Sequence, residues 1–91
     1  MIFEWDECKR RDNWRKHGLD FADCPVVFSA AVASVPDERF DYGEPRLFAC
    51  GLLRDRVVVV AYAERGETIR VISMRRADKR EQAFYFQSLQ D

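Results

Sequence analysis

Seven consecutive apolar residues, Val57-Val-Val-Val-Ala-Tyr-Ala63, stand between Arg54-Asp55 on one side and Arg65-Gly66-Glu67 on the other. The run is far shorter than the ~20 residues a membrane helix needs. Bounded by turn signals, it reads as a strand apolar on both faces, central in a sheet and covered on each side. Its neighbours follow from that placement. Arg46 to Leu53 reads as a strand joined to it by a tight turn at Arg54-Asp55, and Thr68 to Met74 as a third strand after the turn at Arg65-Gly66-Glu67. Asp78-Lys-Arg-Glu81 has the spacing of a capping box, in which two side chains satisfy backbone donors reciprocally, and it opens a helix through about Leu89.

The first half must supply the cover. Ile2-Phe-Glu-Trp5 alternates and reads as a short strand. Asp6 is placed to cap a helix running to about His17, and Gly18 follows where a helix end favours positive φ. A second short helix is expected from Asp20 to near Phe28, with Pro25 awkward inside it because it removes a backbone donor. Residues 29–45 carry Pro36, Gly43 and Pro45 and read mostly as loop, with a short extended piece near Ala33-Ser-Val35. The expected order is β-α-α-β-β-β-α. That is an α+β domain: an antiparallel sheet of three to four strands packed with two N-terminal helices and one C-terminal helix.

Ninety-one residues make a single domain, 1–91, able to bury roughly 60–68% of its unfolded surface. With 47% hydrophobic and 34% charged residues, a core is available and a membrane protein is not expected. Met1 leads almost at once into Trp5-Asp6 without the basic and apolar regions of a signal peptide, so a cytoplasmic location is expected. Cys8, Cys24 and Cys50 are odd in number and irregularly spaced, which rules out a disulfide framework and suggests buried free thiols. His17 is the only histidine, so a zinc site is not expected, and no carboxylate cluster able to hold two metals is visible. Nor is there a hydrolase elbow or a phosphate loop. A nuclease on this chain has to work without metal, and no cofactor is expected.

Net charge is −1, but it is unevenly spread. Residues 1–45 hold 6 basic and 10 acidic side chains, whereas 46–91 hold 9 basic and 6 acidic. A local positive field can hold a polyanion on a slightly acidic molecule. Two places could carry such chemistry. On the first helix, Lys9, Asn13, Lys16 and His17 share one face; they could bind phosphate and move a proton near neutral pH. The alternative is a solvated face on which His17 caps the helix end. The second place is the segment with Arg65, Arg70, Arg75, Arg76, Lys79 and Arg80, which resembles a phosphate-binding rim. The alternative there is a set of ion pairs with Glu64, Glu67 and Glu81.

The opening IFEWDECKRRDNWRKHGLDF, the middle DYGEPRLFACG and the stretch VVVAYAERGETIRVISMRRADKRE together resemble the BrnT family of bacterial toxins, from about Phe3 to Tyr85. Ala63 and Met74 depart from the family's usual threonine and alanine, and neither change removes a charged group. The resemblance implies a RelE/ParE-like fold and the toxin half of a type II toxin–antitoxin pair. It also implies an RNA-cleaving activity that blocks translation, with RNA, either free or as mRNA on the ribosome, as substrate. The expected partner is a BrnA-like antitoxin with a ribbon-helix-helix domain, in a 2:2 complex that contacts operator DNA only through the antitoxin. The other reading is a non-catalytic binding module: an inhibitor of a host protein, as ParE-like relatives are, or an inactive toxin acting as corepressor.

Metal-free RNA cleavage uses the neighbouring 2′-hydroxyl as nucleophile. It needs a base, cations for the phosphorane charge and an acid for the 5′-oxygen. Arg70 and Arg75, with Arg65 in the turn as a third, are the expected charge stabilisers, since a planar fork matches phosphate geometry. His17 is the expected proton-transfer group, with Tyr62 or Glu64 as substitutes. Lys9, Asn13, Lys16, Arg76, Lys79 and Arg80 are the expected RNA contacts, part of the Lys9–His17 face being also a candidate antitoxin surface.

Overall fold

The computed structural model describes residues 1–39, 41 and 43–90; Phe40 and Tyr42 of the expected 29–45 loop lie outside them. The apolar run forms most of the longest strand, β4 (Arg56–Arg65), hydrogen-bonded on both sides to β3 (Arg46–Leu53) and β5 (Thr68–Arg76), both antiparallel. The sheet does not stop at these three. β2 (Ala33–Pro36) pairs antiparallel with β3 over Leu47–Cys50, and β1 (Ile2–Glu4) pairs parallel with β5 over Thr68–Arg70. The result is a five-stranded mixed sheet in the order β1-β5-β4-β3-β2, wider than the three to four antiparallel strands expected from sequence. The reason is edge satisfaction: the hairpin strands leave backbone donors and acceptors unpaired on both flanks, and two short segments take them up.

Helix α1 (Glu7–His17) starts at Asp6, whose carboxylate accepts from the backbone N–H of Cys8 and Lys9, and ends at Gly18 with φ 66°. Asp20 caps a single 3-10 turn (Phe21–Asp23) that runs into α2 (Cys24–Phe28). Pro25 therefore sits in the first turn of α2, where its missing donor costs nothing. Helix α3 (Lys79–Ser88) opens with the full capping box between Asp78 and Glu81.

The two sheet faces are covered unequally. On one, Val58, Val60, Tyr62, Ile69, Val71 and Met74 pack against Leu19, Phe21, Cys24 and Val27 from the α1–α2 region. This approach is close enough to demand Gly51 on β3: a Cβ there would lie 2.7 Å from Val27 Cγ1. On the other face, Cys50, Val57 and Val59 pack against Ala77 and Tyr85. Helix α3 has ten residues, about 15 Å of helix, and covers one end of that face. The far end carries charged side chains in place of a helix.

Candidate active site and nucleic-acid interface

Arg70 and Arg75 are five residues apart on β5, an odd separation that in a regular strand points them to opposite faces. The register with β4 breaks at this place. Ala61 pairs with Ser73 while Tyr62 pairs with Val71, leaving Ile72 as an extra residue. A one-residue bulge reverses the alternation beyond it. Ile69 and Val71 before the bulge, and Met74 after it, thus all enter the same core. By the same reversal Arg70, opposite Ala63, and Arg75, opposite Val59, both lie on the face that α3 leaves partly open, with Ser73 between them.

Carboxylates meet each of these arginines. Arg65 makes a two-pronged contact with Glu44 (Nε to Oε2 3.0 Å, Nη2 to Oε1 3.1 Å). It also lies 3.8 Å from Glu4 Oε1, and Arg70 Nη1 lies 3.5 Å from the same oxygen. Glu4 reaches this place because parallel pairing sets it beside Arg70. Arg75 grips Glu81 through Nη1 (2.7 Å) and Nη2 (2.8 Å), so the carboxylate that completes the α3 capping box also anchors this guanidinium. The Arg65 guanidinium holds the Glu44 carboxyl below the usual carboxylate range, and Arg75 does the same to Glu81. Among the described residues the partners of these three arginines are Glu4, Glu44 and Glu81, the last being one of the three expected from sequence.

Two residues of this face escaped the sequence reading. Arg46 opens β3 in register with Ala63, across β4 from Arg70, and it shares a face with Phe48 and Cys50 by simple alternation. Glu4 was readable as the polar member of Ile2-Phe-Glu-Trp5, but a strand of three residues does not announce its partner or direction.

The α1 face lies elsewhere. Lys9, Lys16 and His17 are exposed and line a groove of about 290 Å³ with Asp12, Asn13, Ile72 and Ser73, along the edge of β5 that β1 leaves uncovered. Asn13 differs from its neighbours in this groove. It is buried, its Nδ2 donates to the Leu19 carbonyl (3.1 Å), and its Oδ1 accepts from the Met74 backbone N–H (3.0 Å). One amide hydrogen and one lone pair of its oxygen are thus engaged in tying α1 to the Leu19 carbonyl and to the free edge of β5. Tyr62 is likewise buried, on the helix-covered face opposite the arginines, and is hydrogen-bonded to Ser34 Oγ at 2.9 Å. Glu64 is exposed near the end of β4.

The remaining cations divide around α3. Arg80 lines a groove with Arg75, Phe48, Val59 and Phe84, and Arg76 lines another on the other flank of the helix with Asp55, Arg56 and Phe86. Lys79 is exposed at the helix start. The structure thus brings Arg65, Arg70 and Arg75 to one face, puts His17, Lys9 and Lys16 at the adjoining edge, and sends Arg76 away from both. Among the described residues, no group of three or more His, Cys, Asp and Glu side chains is placed to hold a metal ion. No helix among them is long and apolar enough to cross a membrane.

A small α+β domain with arginines on an open sheet face has side chains whose planar forks match phosphate geometry. The particular family is given by comparison with family models: residues 5–81 match the ribonuclease toxin, BrnT, of type II toxin-antitoxin systems, and the chain belongs to that family. No curated protein matches it.

Proposed function

We propose that this chain is a metal-independent endoribonuclease that inhibits translation and is neutralised by a BrnA-like antitoxin. The observation that carries this reading is the bulge at Ile72, which gathers Arg70 and Arg75 on the face already holding Arg65 and Arg46. An RNA strand laid over that face offers phosphates to three planar guanidiniums. The phosphates compete with Glu4, Glu44 and Glu81 for these donors, and an oxyanion held between forked donors is stabilised most when its charge is greatest, in the phosphorane. The scissile phosphate is attacked by its own 2′-oxygen. Lys9, Lys16 and His17 continue the track around the β5 edge, where the lysines hold the RNA backbone and His17 is one of two groups able to move a proton, the other being the carboxylate taken up below. Lys79 and Arg80 extend it to the start of α3, and Arg76 contacts RNA on the other flank of that helix.

The antitoxin supplies the ribbon-helix-helix DNA-binding part, in a 2:2 complex whose contact with operator DNA runs through the antitoxin, and the toxin works in the cytoplasm. Arg70→Ala and Arg75→Ala should each restore growth to cells overexpressing the protein. Full toxicity of both folded variants refutes the assignment. A second reading draws on the two-pronged pairing of Arg65 and Arg75 with carboxylates, which is what a non-catalytic corepressor would also show. In that case overexpression of the unmutated chain leaves growth unaffected.

A further inference from the structure

Three carboxylates stand among the arginines of the open face, and they are not equivalent. Glu44 is fixed by two hydrogen bonds from Arg65, and Glu81 by two from Arg75 plus the backbone N–H of Asp78. Asp6, the next acid along the chain from Glu4, is committed to the N-terminus of α1 through Cys8 and Lys9. Glu4 differs from all three. It faces Arg70 at 3.5 Å and Arg65 at 3.8 Å, ion-pair distances outside the range of a good charge-assisted hydrogen bond. Its side chain is 41% exposed, so a ligand can reach its oxygens, while pairing of its backbone with Arg70 holds it in place. A phosphate bound by Arg65 and Arg70 therefore lies against a carboxylate whose lone pairs are open. The 2′-hydroxyl of the same nucleotide is the nearest proton such a phosphate brings with it.

We propose that Glu4 is the general base that removes the 2′-hydroxyl proton. The inference rests on the ribonuclease reading and moves the base's part from His17, in the groove at the β5 edge, to the carboxylate between Arg65 and Arg70. The step balances as follows. Glu4 takes the 2′-proton as the 2′-oxygen forms its bond to phosphorus. The bond from phosphorus to the 5′-oxygen breaks, and that oxygen takes a proton from solvent water. The protonated Glu4 then neutralises the hydroxide left behind. The products are a 2′,3′-cyclic phosphate and a 5′-hydroxyl end.

The test uses the full chain with Glu4→Gln and Glu4→Asp, read in two assays. One is single-turnover cleavage of RNA at saturating protein. The other is affinity for the same RNA carrying 2′-O-methyl groups, which binds but has no nucleophile. Loss of a positioned base costs ~10²–10⁴-fold in rate. Glu4→Gln should lose cleavage on that scale while binding 2′-O-methyl RNA at least as well as wild type, because the variant removes a negative charge beside two arginines. Its residual rate should rise with hydroxide concentration, and Glu4→Asp should restore part of the activity. Cleavage by Glu4→Gln within about tenfold of wild type, below the usual worth of a base, overturns the proposal. So does a loss of binding that matches the loss of cleavage, the result expected if Glu4 only positions Arg70. Wild-type protein that cuts no RNA overturns the ribonuclease reading itself, an outcome distinct from either.

Discussion

Replacing Asn13 by alanine separates a structural residue from an RNA contact on the same helix face. The side chain bridges two backbone groups that have no other partner of their own kind: the Leu19 carbonyl beyond the end of α1 and the Met74 N–H on the free edge of β5. Removing the amide strands both in a buried setting. Each stranded group costs about 1–3 kcal/mol, so the pair amounts to ~2–6 kcal/mol. Against a total stability of about 5–15 kcal/mol this is a large fraction. In a domain of this size each kcal/mol moves Tm by about 4–8 °C, so Asn13→Ala should lower Tm by roughly 10 °C or more. Thermal and urea melts read the loss, and Lys16→Ala, exposed on the same face, serves as the contrast with an unchanged Tm and weaker RNA binding. A variant Asn13→Ala that melts like wild type but binds RNA poorly would refute the reasoning and return Asn13 to the interface.

Further expectations follow from packing and charge. Gly51→Ala places a methyl against Val27, and overpacking of this kind costs ~1–3 kcal/mol, seen as a lower urea midpoint with an unchanged slope; an unaltered midpoint would mean that α2 yields freely. Burial pushes the Cys24 thiol up to about 12 and raises that of Cys50, whereas Cys8 is exposed, so brief alkylation of native protein should label Cys8 alone, as read by peptide mass. Asp20, Glu44 and Glu81 each sit below their usual range because an arginine bonds them. Their folded-state values lie below the unfolded ones, so their contribution is complete above the ordinary carboxylate value of ~4 and is lost as pH falls through the lowered values. Tm measured across that acidic range should fall, and less steeply in Glu81→Gln, which no longer has the pair to lose.

The sequence was most legible where local chemistry decides structure. The run Val57–Ala63 between turn signals announces the central strand, Asp78 and Glu81 announce α3, and Asp6 with Gly18 brackets α1. Pro25 looked like a defect in a longer helix because the 3-10 turn ahead of α2, which moves the helix start to Cys24, leaves no periodic signal. The sheet edges were less legible, since β1 and β2 have three and four residues and take their direction from partners distant in sequence. The site shows the same division. Arginine density marked β5, but strand parity alone separates Arg70 from Arg75, and only the pairing with β4 shows the extra residue at Ile72. Asn13 misled for a related reason: an amide among lysines on a helix face looks solvated until Met74, 61 residues away, is seen against it.

Purified protein incubated with RNA in the presence of EDTA, with and without ribosomes, beside Arg70→Ala, tests the central claim most directly. The expected result is EDTA-resistant cleavage that leaves 2′,3′-cyclic phosphate ends and is lost in the Arg70→Ala variant. Folded wild-type protein that leaves RNA intact in both formats, or Arg70→Ala that cuts as fast as wild type, would contradict it.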